Sequence, residues 1–275
     1  MPQHQSKTPA KLILETNLIY KSIQSQNLHL NLVYPSEPTN KPRPLVVTVA
    51  GHSAWMTSRY ADGMATDCCP TMAAHGFVAA SVQVRTSGEA PFPAQLEDVS
   101  AAIVWLCDHA EDYTVDTSAI GLWGHSASGH VAAMAGLTSE KPKIRAVVIA
   151  SAPTDFQAFG GEIQNDSPVL FQLFGGIVEG KKELAFQASP INHVRKDSPA
   201  FLVIHGTLDE TVPYEHAELF VTKLNDIGGK VEFVTLEDCY HNLATELQTA
   251  SGYGNEGLLD QLALKFFREH LINSK

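Results

Sequence analysis

Cysteine is scarce in this chain. Cys68 and Cys69 are adjacent, while Cys107 and Cys239 stand alone, so no C-x-x-C or zinc-ligand spacing exists. That pattern argues against a thiol-redox motif or a cysteine-built metal centre and leaves buried or inert thiols as the expectation. Basic residues are few as well: 19 Lys and Arg against 30 Asp and Glu give a net charge of −11. That sign opposes a phosphate backbone, so nucleic acid is not an expected partner. Apolar runs are short. Stretches such as Ala146 to Ala150 fall far below the roughly 20 residues needed to span a bilayer, and no membrane partner is expected. Met1 to Lys11 is polar and contains two prolines, without the apolar core of a secretory signal, so the default address is cytoplasmic. Repeats, low-complexity tracts and charge blocks are also missing, which makes a single domain over 1–275 the simplest organisation.

What is present is an ordinary globular composition, 44% hydrophobic and 18% charged over 275 residues, enough to bury about 75% of the unfolded surface. Leu12 to Tyr20, followed by the alternating stretch Leu28 to Val33 before Pro35, reads as a β-hairpin. Thereafter short continuous apolar runs alternate with helical periods, the pattern of parallel strands buried on both faces. The strands are Leu45 to Ala50, Phe77 to Val84, Ala119 to Trp123, Ile144 to Ala150, Phe201 to His205 and Val231 to Leu236. With the hairpin they make an eight-stranded, mostly parallel sheet flanked by helices. One helical stripe is Leu96, Val99, Ile103 and Leu106; another is Ala217, Phe220, Val221, Leu224 and Ile227, stopped by Gly228 and Gly229. A last helix is expected from about Glu256 to Leu271. The stretch from Asp155 to Ser198, rich in glycine and phenylalanine, exceeds a normal connection and reads as a cap-like insertion over 155–198.

The segment Ala119 to Val131 sets Ser126 between a buried strand and a helix of small residues. A nucleophilic serine at such a strained turn needs small residues two before and two after it, here Gly124 and Ser128. Glycine is usual at the second place; Gly129 beside Ser128 softens the departure. Gly-His-Ser-Ala also occurs at Gly51 to Ala54, but there Trp55 follows two residues after the serine and is too large for the crossing. Asp209, on the loop after Phe201 to His205, is the expected acid. His241, on the loop after Val231 to Leu236, is the expected base. Asp238 and Asp155 are the competing acids. A serine hydroxyl is a weak nucleophile until an imidazole removes its proton, and a carboxylate must hold that imidazole in the right tautomer. Two or more backbone N–H groups should face the developing oxyanion: that of Ala127 at a helix start, and those of His52 and Ser53 in the 51–55 loop. Of the other histidines, His125 is expected behind the turn, His205 within its own loop and His29 in solvent. Trp55, Phe156, Phe159, Phe171 and Phe174 are the expected substrate-binding residues, an apolar wall for a short acyl or aryl group.

These residues resemble an α/β-hydrolase of the carboxylesterase group that includes feruloyl-esterase-like and acetylxylan-esterase-like proteins. The resemblance spans roughly Leu28 to Leu271. It is carried by Ser87 to Val99, Trp123 to His130, Ala152 to Phe156, Ala188 to Ile191 and His205 to Asp209. It implies a serine carboxylesterase acting on a small-molecule ester through an acyl-enzyme, with Ser126, Asp209 and His241 in the three roles and no metal or organic cofactor. It departs at Ala50 to Trp55, where the group usually reads His-Gly-Gly-Gly-Trp or His-Gly-Gly-Ala-Trp. A peptidase or lactonase on the same fold, or a hydrolase fold turned ligand receptor, are the alternatives. Asp98, in the shared stretch, reads as an acid favoured by a helix N-terminus.

Overall fold

The computed structural model describes residues 11–24, 26–49, 55–56, 64–157, 159, 167–245 and 256–273. Eight strands form one sheet in the order β1-β2-β4-β3-β5-β6-β7-β8. They are β1 (Leu12–Ile23), β2 (Gln26–Pro35), β3 (Arg43–Val49), β4 (Val78–Val82), β5 (Val115–His125), β6 (Ile144–Ala150), β7 (Ala200–Gly206) and β8 (Val231–Leu236). The hairpin β1–β2 and the β2–β4 pair are antiparallel; every pairing from β4 across to β8 is parallel. The expected eight-stranded, mostly parallel sheet is therefore the one observed. Strand β5 begins earlier than its apolar run because Val115 and Asp116 pair with Arg43 and Pro44 of β3 while Thr117 and Ser118 stay exposed. Such a half-exposed start carries no continuous hydrophobic signal.

Helices cover both faces. On one lie α2 (Ala94–Asp108), α4 (Ala127–Thr138) and α7 (Glu215–Asp226); on the other lie α1 (Met64–Ala74) and α8 (Glu256–Phe267), which passes into a π-turn at Arg268–Ile272. A short α3 (Ala110–Tyr113) precedes β5. Core residues alternate accordingly. Leu45 and Val47 of β3 pack toward α2 and α4, and Val46 packs toward α1 and α8, as the two-residue period of a strand requires. Between β6 and β7, the stretch 155–198 contains α5 (Pro168–Phe174) and α6 (Lys182–Ala188). Ser167 caps α5 through its hydroxyl, and Gly175 closes it in the left-handed region at φ +64°.

Asp98 is not a helix-terminal acid. It lies beyond the first turn of α2 and is fully buried, with Lys21 Nζ at 2.7 Å, Arg85 Nε at 2.8 Å and the Arg85 backbone N–H at 3.0 Å. The carboxylate thus ties β1 and the segment after β4 to α2. Removing one partner would strand a buried charge, which explains its burial better than the dipole does. His29 is half-buried rather than solvent-facing, with its backbone N–H on Gln83 Oε1 at 3.1 Å.

Candidate functional site

Because β3 to β8 run parallel, their carboxyl ends share one rim, and the segments that leave them converge there. Ser126 follows β5 and begins α4. Its backbone takes φ +55° and ψ −126°, a conformation that costs on the order of 1–3 kcal/mol for a non-glycine residue. Two hydrogen bonds hold it: Ser126 N–H donates to the Ala150 carbonyl at 2.8 Å, and the Ser126 carbonyl accepts from His130 N–H at 3.0 Å. The turn works because strand and helix nearly touch. A Cβ on Gly124 would sit 2.3 Å from the Ser128 carbonyl oxygen, and one on Gly129 would sit 2.8 Å from Ala152 Cβ. The missing side chains that matter are thus at 124 and 129, so serine is tolerated at 128.

Asp209 lies just beyond β7, its side chain fully buried. Its Oδ1 accepts from Thr211 N–H at 3.0 Å and Val212 N–H at 2.9 Å, while His205 Nε2 lies 3.1 Å from Oδ2. Burial works against the charged carboxylate. The approach of His205 and the hydrogen bond and charge of His241 outweigh it and hold Asp209 well below the usual carboxylate range. His205 also donates through Nε2 to the Val212 carbonyl at 2.9 Å, fixing the loop that carries the acid.

His241 sits on the loop after β8. Its Nδ1 is 2.8 Å from Asp209 Oδ2, and its Nε2 is 2.9 Å from Ser126 Oγ. A serine hydroxyl, an imidazole and a buried carboxylate therefore stand in one hydrogen-bonded line. Such a line can draw a proton from the hydroxyl and hold it on the ring, its positive charge balanced by the carboxylate. The loop is pressed onto the acid's strand: a Cβ on Gly206 would lie 2.3 Å from the Cys239 carbonyl oxygen. Neither competing acid joins the line. Asp155 accepts from Gln157 N–H while its own N–H points at His216, and Asp238 is exposed, at φ +55°, with its N–H on Thr207 Oγ1.

The remaining expected residues divide. Ala127 is the first residue of α4, where the initial N–H groups of a helix have no intrahelical acceptor. His52 and Ser53 lie outside the described residues. Trp55 is buried at φ +62°, its Nε1–H donating to His130 Nδ1 at 3.2 Å and its carbonyl accepting from Ser87 N–H at 2.7 Å. Phe156 and Phe174 have 0% and 1% of their surface exposed and meet edge to face at 5.1 Å. They belong to the main core with almost no surface open to a ligand, which runs against the expectation that they touch a substrate. Phe159 is buried against the His216 ring, and Phe171 is 51% exposed on α5.

The BD-FAE family matches residues 30–224. The chain belongs to the BD-FAE family. Esterase LipC of Mycobacterium tuberculosis is 30% identical to it over 217 residues, 73% of this chain and 53% of that protein. The probable isoprenylcysteine alpha-carbonyl methylesterase ICME of Oryza sativa subsp. japonica is 28% identical over 230 residues, 77% of this chain and 54% of that protein. Among solved structures, a truncated form of carbohydrate esterase from gut microbiota superposes with a TM-score of 0.76 at 26% identity, covering 95% of this chain and 96% of that one. The fold is the α/β-hydrolase fold. This BD-FAE chain spans about half the length of the curated relatives it matches.

Two histidines of this BD-FAE member escaped the sequence reading. His130, fully buried on α4, accepts from Trp55 at Nδ1 and donates through Nε2 to the Ala188 carbonyl at 2.8 Å. Burial pushes it down to about 4. His216, on α7, accepts at Nδ1 from the N–H groups of Thr154 and Asp155; burial, with the nearby His205 adding to it, also pushes it down to about 4. Only the small-residue period of α4 and the apolar face of α7 hinted that these positions point inward. Both rings fold neutral, whereas an unfolded histidine titrates near 6.5. As pH falls from about 6.5 to 4 the unfolded chain takes up protons that the folded chain refuses, so stability should fall by about 3 kcal/mol per ring. Urea denaturation between pH 7 and pH 4 checks this: His130→Gln should lose distinctly less stability over that interval than the parent, and an unchanged slope would remove His130 as a source.

Among the described residues, Glu232, Glu269 and His270 form one group able to hold a metal, their ligand atoms within 4.8 Å of one another. Glu232 stands near the start of β8, whereas His241 follows its end, so this group belongs to the opposite rim. No helix among the described residues is long and apolar enough to cross a membrane.

Proposed function

We propose that this BD-FAE member is a serine carboxylesterase. The observation that carries the reading is the line Ser126 Oγ to His241 Nε2 at 2.9 Å and His241 Nδ1 to Asp209 Oδ2 at 2.8 Å. Ser126 Oγ attacks the ester carbonyl while His241 Nε2 takes its proton, and the carbonyl oxygen becomes an oxyanion. Asp209 keeps Nδ1 protonated and balances the imidazolium that forms. The oxyanion is assigned to the N–H of Ala127 and, from the sequence alone, to those of His52 and Ser53, which lie outside the described residues. Collapse expels the alcohol, which receives the proton from His241. Water, deprotonated by the same ring, then releases the acid and restores Ser126.

The substrate class within the proposal is a short-acyl or aryl ester. Trp55, His130, Phe156 and Phe174 fill the space beside the start of α4 in edge-to-face and tilted contacts, from 5.1 to 5.9 Å between ring centroids. A core packed this densely beside the nucleophile's helix leaves little room for a long chain, so a small acyl group is favoured. The stretch 155–198 serves as a cap over this end of the sheet within a single domain. Cys68, Cys69, Cys107 and Cys239 form no disulfide, which suits a reducing compartment, and a cytoplasmic address is part of the proposal.

A panel of p-nitrophenyl esters from acetate to laurate, with methyl ferulate and an acetylated sugar, tests the reading. Rates should fall with acyl length, and Asp209→Asn should cost roughly 10⁴-fold in kcat because the ring then loses tautomer control. Preference for acyl chains of ten or more carbons would overturn the short-acyl assignment. Parent-like turnover in Asp209→Asn would overturn the role of the acid.

A further inference from the structure

The ring of His125 ends β5, one residue before Ser126, and a strand's alternation sends it to the same face as Trp123, the face where Leu243 is also buried. Its Nε2 is 2.9 Å from the backbone carbonyl of His241, and the two imidazoles lie 5.2 Å apart between centroids, tilted by 47°. A carbonyl only accepts, so Nε2 of His125 carries the hydrogen. The residue covalently bound to the serine therefore grips the main chain of the histidine that must face that serine.

We propose that His125 is a positioning residue for the Ser126–His241 pair, an inference that rests on the serine-esterase reading above. Other bonds hold the His241 loop from the acid's side: Leu208 N–H donates to the Cys239 carbonyl at 2.9 Å, and Asp238 N–H to Thr207 Oγ1 at 3.0 Å. Those bonds fix His241 relative to Asp209. His125 fixes it relative to the nucleophile, across 116 residues of chain. The 2.9 Å approach of Ser126 Oγ to His241 Nε2 joins two side chains that can each rotate away, whereas the His125 bond acts on the loop's backbone and sets where the ring can swing. Reaction rate is sensitive to such placement: a misplacement of about 1 Å costs on the order of 10²-fold. The loss should fall on the chemical step and leave substrate affinity nearly untouched, because His125 bonds to the base's main chain and not to the acyl pocket.

Three variants test this on p-nitrophenyl acetate. His125→Leu, similar in bulk but without a donor, should lower kcat by roughly 10- to 100-fold with KM within twofold, and should slow labelling by a fluorophosphonate in parallel. His125→Gln, whose amide can reach the same carbonyl, should recover most of that loss; His125→Asn, a donor too short to reach, should not. Thermal unfolding of each variant identifies any that fails to fold; if Leu does, the Gln and Asn pair carries the comparison. Parent-like kcat in folded Leu or Asn variants, or equal losses in Gln and Asn, would overturn the proposal. Ser126→Ala run beside them keeps the two readings apart: retained turnover there would sink the serine mechanism itself, whatever His125 does.

Discussion

Ser126→Ala is expected to lower ester hydrolysis by roughly 10⁴- to 10⁶-fold while leaving the thermal unfolding midpoint nearly unchanged. The hydroxyl is the only atom lost, and the φ of +55° is held by backbone bonds to Ala150 and His130 that alanine keeps. His241→Ala should fall into the same range and not add to it, since nucleophile and base act as a unit. Ser53→Ala, in the other Gly-His-Ser-Ala copy, should stay within tenfold of the parent. Burst kinetics with p-nitrophenyl acetate and covalent fluorophosphonate labelling, read by intact mass, decide between the copies. Acyl-enzyme in Ser126→Ala, with none in Ser53→Ala, would move the nucleophile to the β3 loop.

The second large effect should come from a single methyl group. Gly124→Ala places a Cβ 2.3 Å from the Ser128 carbonyl oxygen and 2.6 Å from Gly129 N, all backbone, with no flexible side chain to move aside. Relief requires parting β5 from α4, which shifts Ser126 out of line with His241 and breaks contacts of Val131 and Ala132 with the sheet. We expect a destabilisation of at least about 3 kcal/mol, the upper range for overpacking a close contact, and loss of turnover by more than about 10²-fold. Ser128→Gly is the counterpart and should be mild. Denaturant titration with the ester assay checks both. A folded, fully active Gly124→Ala would mean that the strand and helix do not need this approach.

Much of this was legible because parallel strands announce themselves. Val46, Val47 and Val148 sit in runs buried on both faces, and the segments leaving those runs had to share a rim, so Asp209 and His241 could be singled out by their order after Ser126, itself marked by the small residues around it. What stayed hidden depends on tertiary neighbours. Helix α1 contains Pro70 and a Cys-Cys pair and lacks a clean stripe, so its period was weak. Helices α5 and α6 have seven residues each, too short for a period to register, and Gly175 and Gly176 between them masked both. Asp98 looked like a dipole acid because its partners, Lys21 and Arg85, lie on other elements. The Trp55–His130 bond joins residues 75 apart, and no local pattern foretells such a pair. Phe156 and Phe174 are legible as apolar, but only packing says whether an apolar ring faces a ligand or other rings.

The parallel rim carries a cost in time. Ser126 and His241 are 115 residues apart in the chain, and their elements are separated in the sheet by β6 and β7. Neither hairpin nor helix can bring them together alone. Both intervening strands must first dock in register, each after a helical crossover, and pairings of such high sequence separation form slowly because loop-closure entropy is lost before contacts repay it. Helices α4 and α7 are local and can form early. On dilution from denaturant, secondary structure should therefore return well before the first turnover, leaving an interval in which the chain is helical, inactive and still exposing the unpaired edges of its central strands.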